Sequence, residues 1–329
     1  MKTFNYARVR SVDSALAEAA KPGATFLAGG TELANWMKDG IASPTELIDI
    51  NELSLSEILV HAHGVRLGAL SRMSDVAAHP ALRSAYPVLC EALELGASPQ
   101  IRNMGTIAGN LLQRTRCPYF RETSYPCNKR HPGAGCAALS GEHRMHAIFG
   151  ASDSCIAVHP SDLAVALFAL DAVVHSRGPR GERVIPIADL YTPPGHTPDR
   201  ETDLDHGELI LGVVIPAAPF AAQSHYFKVR ERQSYEFALV SVAASLELEE
   251  PSQTVRSARV VLGGVAYKPW RVRAAEEALL DKPLTDSTIA AAGAAAIQGA
   301  QPLRDNAIKV PVAECAVVRA LTTIGERAS

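Results

Sequence analysis

Two hydrophobic rhythms alternate at the start of the chain. In SVDSALAEAA the apolar positions recur at helical spacing, with Ser11 or Asp13 placed to cap the N-terminus. ATFLAGG instead is a continuous apolar run that breaks at paired glycines, as a buried strand does on entering a turn. TELANWMKDG predicts a helix closed by Gly40 and TELIDI a second strand, so the opening residues form a helix, strand, helix, strand unit. From Ile58 the rhythm shifts. ILVHAHGVRLGAL predicts two apolar strands about a turn, followed by helices at MSDVAAHPAL and PVLCEALELGAS. Further on, DLAVALFALDAVVHS is an apolar helix running into a strand, SRGPRGER a turn, YTPPGHTP a loop, and ELILGVVIP a strand ended by proline. A boundary follows at PAAPFAAQ, residues 216–223. Beyond it HYFKVR, ALVSVAASLEL and ARVVLGGVAY predict strands, and RVRAAEEALL, TIAAAGAAAIQG and VAECAVVRALTTI predict helices. The expected fold class is α+β: a first domain over 1–218, in subdomains of about 1–56 and 57–218, then a smaller α+β domain over 222–326.

Composition narrows the partners. The chain has 329 residues, more than a typical single domain, with 32 basic against 35 acidic side chains and a net charge of -3. There is no global basic field to gather nucleic acid, so small molecules or proteins are the expected partners. No stretch reaches the roughly 18 apolar residues of a membrane span, and no apolar run follows the positive charges at the N-terminus, so neither membrane anchor nor export signal is expected. Six cysteines are too few for a secreted disulfide scaffold. Cys90 and Cys315 lie in apolar helical runs, where they read as small core residues. The other four, Cys117, Cys127, Cys136 and Cys155, crowd into residues 117–155, where an even spread would put fewer than one.

Three stretches between the elements carry candidate chemistry. In Phe26-Leu27-Ala28-Gly29-Gly30-Thr31-Glu32-Leu33 the paired glycines let backbone N–H groups approach a diphosphate at a helix N-terminus, although such a turn also serves as a plain tight connection. It lacks the G-x-G-x-x-G spacing of a Rossmann site, which argues against ordinary dinucleotide binding. In Gln100–Leu111, small residues beside Thr106 and Asn110 suit a planar hydrogen-bonding ligand or a polar loop. In Pro160-Ser161-Asp162-Leu163, Ser161 or Asp162 is sufficient as a helix N-cap.

In this order the three stretches resemble the FAD-binding medium subunit of the molybdenum hydroxylases, the family of xanthine dehydrogenase and aldehyde oxidoreductase. There an AGGT-type loop and a TI-x-GN-type loop enclose the flavin, and a later SDL carries a cofactor-binding aspartate. Phe227-Lys228-Val229-Arg230 is similar to that family's FK element, and ASLELEEPSQTVRSARVVLGGVAYKPWR to its C-terminal domain. The resemblance covers essentially the whole chain. It implies a two-subdomain FAD-binding fold of the vanillyl-alcohol oxidase (PCMH) type, followed by a C-terminal domain of the CO dehydrogenase flavoprotein type. It also implies that Ala28 to Leu33 hold the pyrophosphate, that Thr106 and Asn110 border the flavin, that Phe26, Leu27, Ala34 and Gly109 bind the cofactor beside them, that Asp162 accepts hydrogen bonds from the cofactor, and that Lys228 adds a charge or stem contact. No general acid or base of the hydrolase kind is expected. The implied partners are a large molybdenum-cofactor subunit and a small subunit with two 2Fe-2S clusters, in a heterotrimer that is periplasmic if a partner brings an export signal and cytoplasmic otherwise.

Residues 112–160 depart from the plain family pattern, because there the TI-x-GN loop runs almost directly into the SDL helix. All four clustered cysteines fall in this insert. Such an insert occurs in 4-hydroxybenzoyl-CoA reductase and in periplasmic aldehyde oxidoreductase, where it binds a 4Fe-4S cluster, and LLQRTRCPYF, PCNKR, GCAAL and HPSDLAVAL look closest to the latter. The residues themselves leave two metals open: four thiolates satisfy tetrahedral zinc or a 4Fe-4S cube, and the C-x9-C-x8-C-x18-C spacing only tilts toward the cube. Arg114, Arg116, Arg121, Lys129 and Arg130 face only Glu122 in the same span, an excess that would offset a negative cluster or form a solvated or docking loop. His131, His143, His146 and His159 are expected as polar surface residues or supports to the ligands. The rival expectations are a self-sufficient flavin oxidase and a noncatalytic zinc-binding subunit.

Overall fold

A computed structural model describes residues 1–328 and arranges them around three sheets. The first is built from β1 (Asn5–Arg8), α1 (Val12–Ala19), β2 (Ala24–Leu27), α2 (Leu33–Lys38) and β3 (Glu46–Asp49), with strand order β1-β3-β2 and both pairings parallel. Ser11 caps α1 by accepting from the Ser14 N–H, as the periodicity predicts. The sequence expectation omits β1. Its residues NYAR are almost wholly exposed, so no apolar period marks a strand that is held instead by its ladder to β3.

The second unit contains β4 (Ile58–His61), β5 (Gly64–Gly68), α3 (Met73–Ala78), α4 (Pro80–Ala85), α5 (Pro87–Leu95), α6 (Pro99–Met104) and α7 (Ile107–Leu111). After the insert, which holds the short α8 (Pro118–Arg121), come α9 (Asp162–Ala169), β6 (Val173–Gly178), β7 (Gly181–Pro186) and β8 (Leu209–Pro216). The antiparallel sheet runs β4-β5-β8-β6-β7. The stretch 100–111, a candidate polar loop, is instead two short helices broken at Gly105.

The third sheet, β12-β11-β10-β9, is antiparallel and comprises β9 (Ser224–Val229), β10 (Val240–Glu249), β11 (Thr254–Gly263) and β12 (Trp270–Arg271). It is covered by α10 (Arg273–Leu279), α11 (Asp286–Ala296) and α12 (Lys309–Ala328). Every residue of α9 is buried, which follows from its place: it packs on α5 on one side and on β10 and β11 on the other, so an all-round apolar helix joins the second unit to the third. Cys90 is buried as expected, but Cys315 is exposed on α12 because the apolar stripe of that helix passes through Ala316 and Val317 instead. The architecture is the α+β one expected. Among the described residues no helix is long and apolar enough to cross a membrane.

Candidate functional site: the glycine turn, the α7 cap and a four-cysteine cavity

The chain leaves β2 at Leu27 and turns through Ala28-Gly29-Gly30-Thr31 into α2. Gly30 adopts φ +70°, a region that side chains rarely enter, and a Cβ on Gly29 would run into the Met104 carbonyl. One glycine thus serves the turn and the other a close approach to the C-terminal end of α6. Asn51 and Arg72 stitch this contact. The Asn51 side-chain amide donates to the Ala28 carbonyl at 2.9 Å and accepts from Arg72 at 3.2 Å, while the other Arg72 nitrogen donates to the Met104 carbonyl. Neither residue was singled out by sequence, since an asparagine after a strand and an arginine before a helix carry no signal until their loops meet.

Thr106 caps α7, its hydroxyl accepting from the Gly109 N–H at 3.2 Å. The Asn110 side chain accepts from the Ser161 hydroxyl at 2.6 Å, so α7 is tied to the N-cap of α9. Asp162 follows at the first position of α9, buried, and accepts from the Tyr226 hydroxyl at 2.5 Å and from Lys228 Nζ at 2.7 Å. Burial raises the Asp162 carboxyl above its ordinary value, opposed by the ammonium beside it. Lys228 also donates to the Leu95 carbonyl at 3.1 Å. The structure therefore gives the charges of Asp162 and Lys228 to each other, while Phe26 to Ala34 form the β2–α2 turn and Thr106, Gly109 and Asn110 the cap and body of α7, two segments that meet where Gly29 touches Met104.

The insert is fastened to the glycine turn. Glu32, the N-cap position of α2, accepts from the Trp36 indole at 2.8 Å and from Arg116, and Arg121 lies 3.6 Å away. Arg114 and Lys129 both pair with Glu201, and Arg130 donates to the carbonyls of Tyr119, Phe120, Glu122, Thr123 and Tyr125. The basic excess seen in the sequence is thus neutralised largely within the chain, by Glu32 and Glu201, instead of lying on a solvated loop.

All four insert cysteines are free and line one small cavity together with Tyr119, Phe120 and Asn128. Cys127 and Cys136 face each other across an antiparallel bridge, and Cys117 Sγ lies 3.1 Å from His146 Nε2. Burial pushes the Cys117 thiol up to about 12 and raises Cys155 as well, the latter against the pull of Lys129. A multivalent centre would reverse this, since coordinating thiols are deprotonated outright. Four thiols and no carboxylate on one cavity wall is a donor set that fits a sulfur-ligated centre. Among the described residues no group of three or more His, Cys, Asp or Glu side chains is assembled into a metal-ion site. The fit is therefore one of donor set and cavity, without formed coordination. The sequence left His143 and His146 as polar surface or as supports to the ligands; both are buried, and the insert end containing them is held against the start of α12 by Asn306 and Lys309. A second cavity of about 380 Å³, lined by Trp36 of α2, Leu111 of α7, Tyr191 and Tyr267, shares Thr115, Lys129, Cys155 and Ala157 with the cysteine cavity.

The profile of the FAD binding domain in molybdopterin dehydrogenase matches residues 2–218, and that of the CO dehydrogenase flavoprotein C-terminal domain matches residues 225–310. The chain is 54% identical over 282 residues to the aldehyde oxidoreductase FAD-binding subunit PaoB of Escherichia coli, covering 85% of this chain and 86% of that protein. It is 29% identical over 305 residues to the carbon monoxide dehydrogenase medium chain of Hydrogenophaga pseudoflava, covering 92% of this chain and 88% of that one. A solved structure of carbon monoxide dehydrogenase from the same organism superposes with a TM-score of 0.76 at 28% identity, over 99% of this chain and 98% of that chain. Matched across both domains, the chain belongs to the molybdenum hydroxylase family as one of its FAD-binding subunits, a component of oxidoreductase complexes.

Proposed function

We propose that this chain is the electron-transfer flavoprotein subunit of a molybdenum-dependent aldehyde oxidoreductase, with FAD at residues 26–34 and at Thr106, Gly109 and Asn110, and a 4Fe-4S cluster on Cys117, Cys127, Cys136 and Cys155. In this reading a large molybdenum-cofactor subunit oxidises the aldehyde, and a small subunit with two 2Fe-2S clusters delivers the electrons. This chain hands them to an external acceptor. The observation that carries the cluster is the convergence of the four insert cysteines on one cavity. The enzyme class rests on the 54% identity to a subunit named for aldehyde oxidoreductase.

Bound FAD supplies the exchange between two-electron and one-electron steps. The chain's own residues do the rest. The glycine turn offers N–H groups beside a helix start, and Arg72 with Asn51 holds that turn against the α7 cap. The arginines of the insert keep its cysteines at a fixed place beside α2.

Anaerobic purification of the full chain tests this directly. The expected result is a flavin spectrum with about four iron atoms per chain and no aldehyde turnover by the chain alone. Cys127→Ser is expected to lose the iron while retaining FAD. Stoichiometric zinc in place of iron would overturn the cluster, and aldehyde oxidation by the isolated chain would overturn the subunit role.

A further inference from the structure

We propose that His146 is a positioning residue for the cluster: its Nε2–H donates to the Cys117 sulfur, and the hydrogen bond raises the reduction potential of the centre that Cys117 ligates. This rests on the cluster assignment above.

The geometry begins at the ring. His146 is buried, its Nε2 is 3.1 Å from Cys117 Sγ, and its Nδ1 has no partner. A neutral imidazole carries one N–H, and a metal-bound thiolate can only accept. The proton then belongs on Nε2, which leaves Nδ1 as the bare nitrogen that the structure leaves without a partner. Hydrogen bonds to ligand sulfurs spread the negative charge added on reduction, and they are one of the levers that set iron–sulfur potentials.

The backbone beneath this ring is held with unusual investment. Lys309, the first residue of α12, and Asn306, in the turn before it, are both fully buried and donate to the His146 carbonyl at 2.9 and 3.3 Å. Asn306 also reaches the Ala147 carbonyl at 3.0 Å, and Lys309 the Gly264 carbonyl at 2.7 Å. Three residues back, His143 Nε2 accepts from the Asp305 N–H at 3.1 Å. A buried lysine head facing only carbonyls is costly to desolvate, and a chain connection alone does not require it. It does fix the residue whose ring meets a ligand sulfur.

The test is a redox titration of the cluster by electron paramagnetic resonance, with iron analysis, on the full complex. His146→Leu is expected to keep its iron while the cluster potential falls by about 59 mV, a tenfold change in the one-electron equilibrium. His146→Gln, which presents an amide N–H near the same place, is expected to recover most of the shift, and Lys309→Met to give a smaller fall in the same direction. Full iron with an unmoved potential in His146→Leu would overturn the hydrogen bond and leave the cluster intact. Should that variant lose iron, the Lys309→Met titration decides, an unmoved potential there counting against the proposal. Wild-type protein without iron would instead remove the cluster assignment, and the tuning with it.

Discussion

His159 illustrates how one ring is fixed in one protonation state. The Ser161 N–H donates to its Nδ1 at 3.4 Å, so the ring proton sits on Nε2, 3.3 Å from the Leu111 carbonyl. The ring also packs on Tyr191 with centroids 4.3 Å apart. Burial pushes its pKa down to about 4, helped by the nearby Lys129 and Arg116 and opposed by the Leu111 carbonyl and Glu201. The folded value lies below the unfolded one of about 6.5, so the unfolded chain binds the extra proton between them. Stability from the neutral ring is therefore complete above about pH 6.5 and is lost as pH falls toward 4, at up to about 1.4 kcal/mol per pH unit. His159→Gln keeps polarity and loses the titration. Urea midpoints measured across pH 7 to 4 should fall less steeply for the variant by about one proton, and parallel curves would refute the assignment. The sequence suggested a polar or supporting role for His159, but not its enclosure. That depends on α7 and the α9 cap meeting, a long-range fact that local pattern does not carry.

At the scale of elements, what the sequence made legible is what period and punctuation encode. The helices α1, α10 and α11, the strands of the third sheet and the glycine-bearing turn all announce themselves in apolar runs, apolar spacing or glycines. The exposed β1 and the short α6 and α7 do not, because ladder bonds and caps hold them without an apolar face. The insert is less legible still. Its path is set by guanidinium groups reaching backbone carbonyls and carboxylates, which leave no periodic trace. Hence the cysteine spacing pointed to a shared ligand set, while the fastening of Arg116 and Arg121 to Glu32 was not foreseen. That fastening predicts a dependence of the flavin turn on the insert. Glu32→Gln removes the carboxylate facing two largely buried arginines and should lower stability by about 1.5–3 kcal/mol. It should also make FAD easier to strip on desalting, as read from flavin absorbance. Unchanged stability and unchanged flavin retention would mean that α2 is held without the insert.

The second and third units are joined through buried contacts of α5 and α9 with the third sheet. The insert sends Ile148 and Phe149 into the core of the third sheet, and α9 lies between the second and third units. At that junction Asp162 of α9 meets Tyr226 and Lys228 of β9, so a pair that the family resemblance assigns to cofactor binding also bridges two domains. The two roles separate experimentally. Lys228→Met strands a buried carboxylate and should destabilise the chain by about 3–5 kcal/mol, whereas adding Asp162→Asn removes the stranded charge and should return part of that loss. If the pair acts only as a bridge, FAD content in the double variant follows its recovered stability in denaturant unfolding. Flavin that stays low while stability returns would place the pair in direct contact with the cofactor, as the resemblance implies. A double variant no more stable than Lys228→Met would show that the two charges are not coupled, and the junction would then rest on the apolar faces of α9 alone.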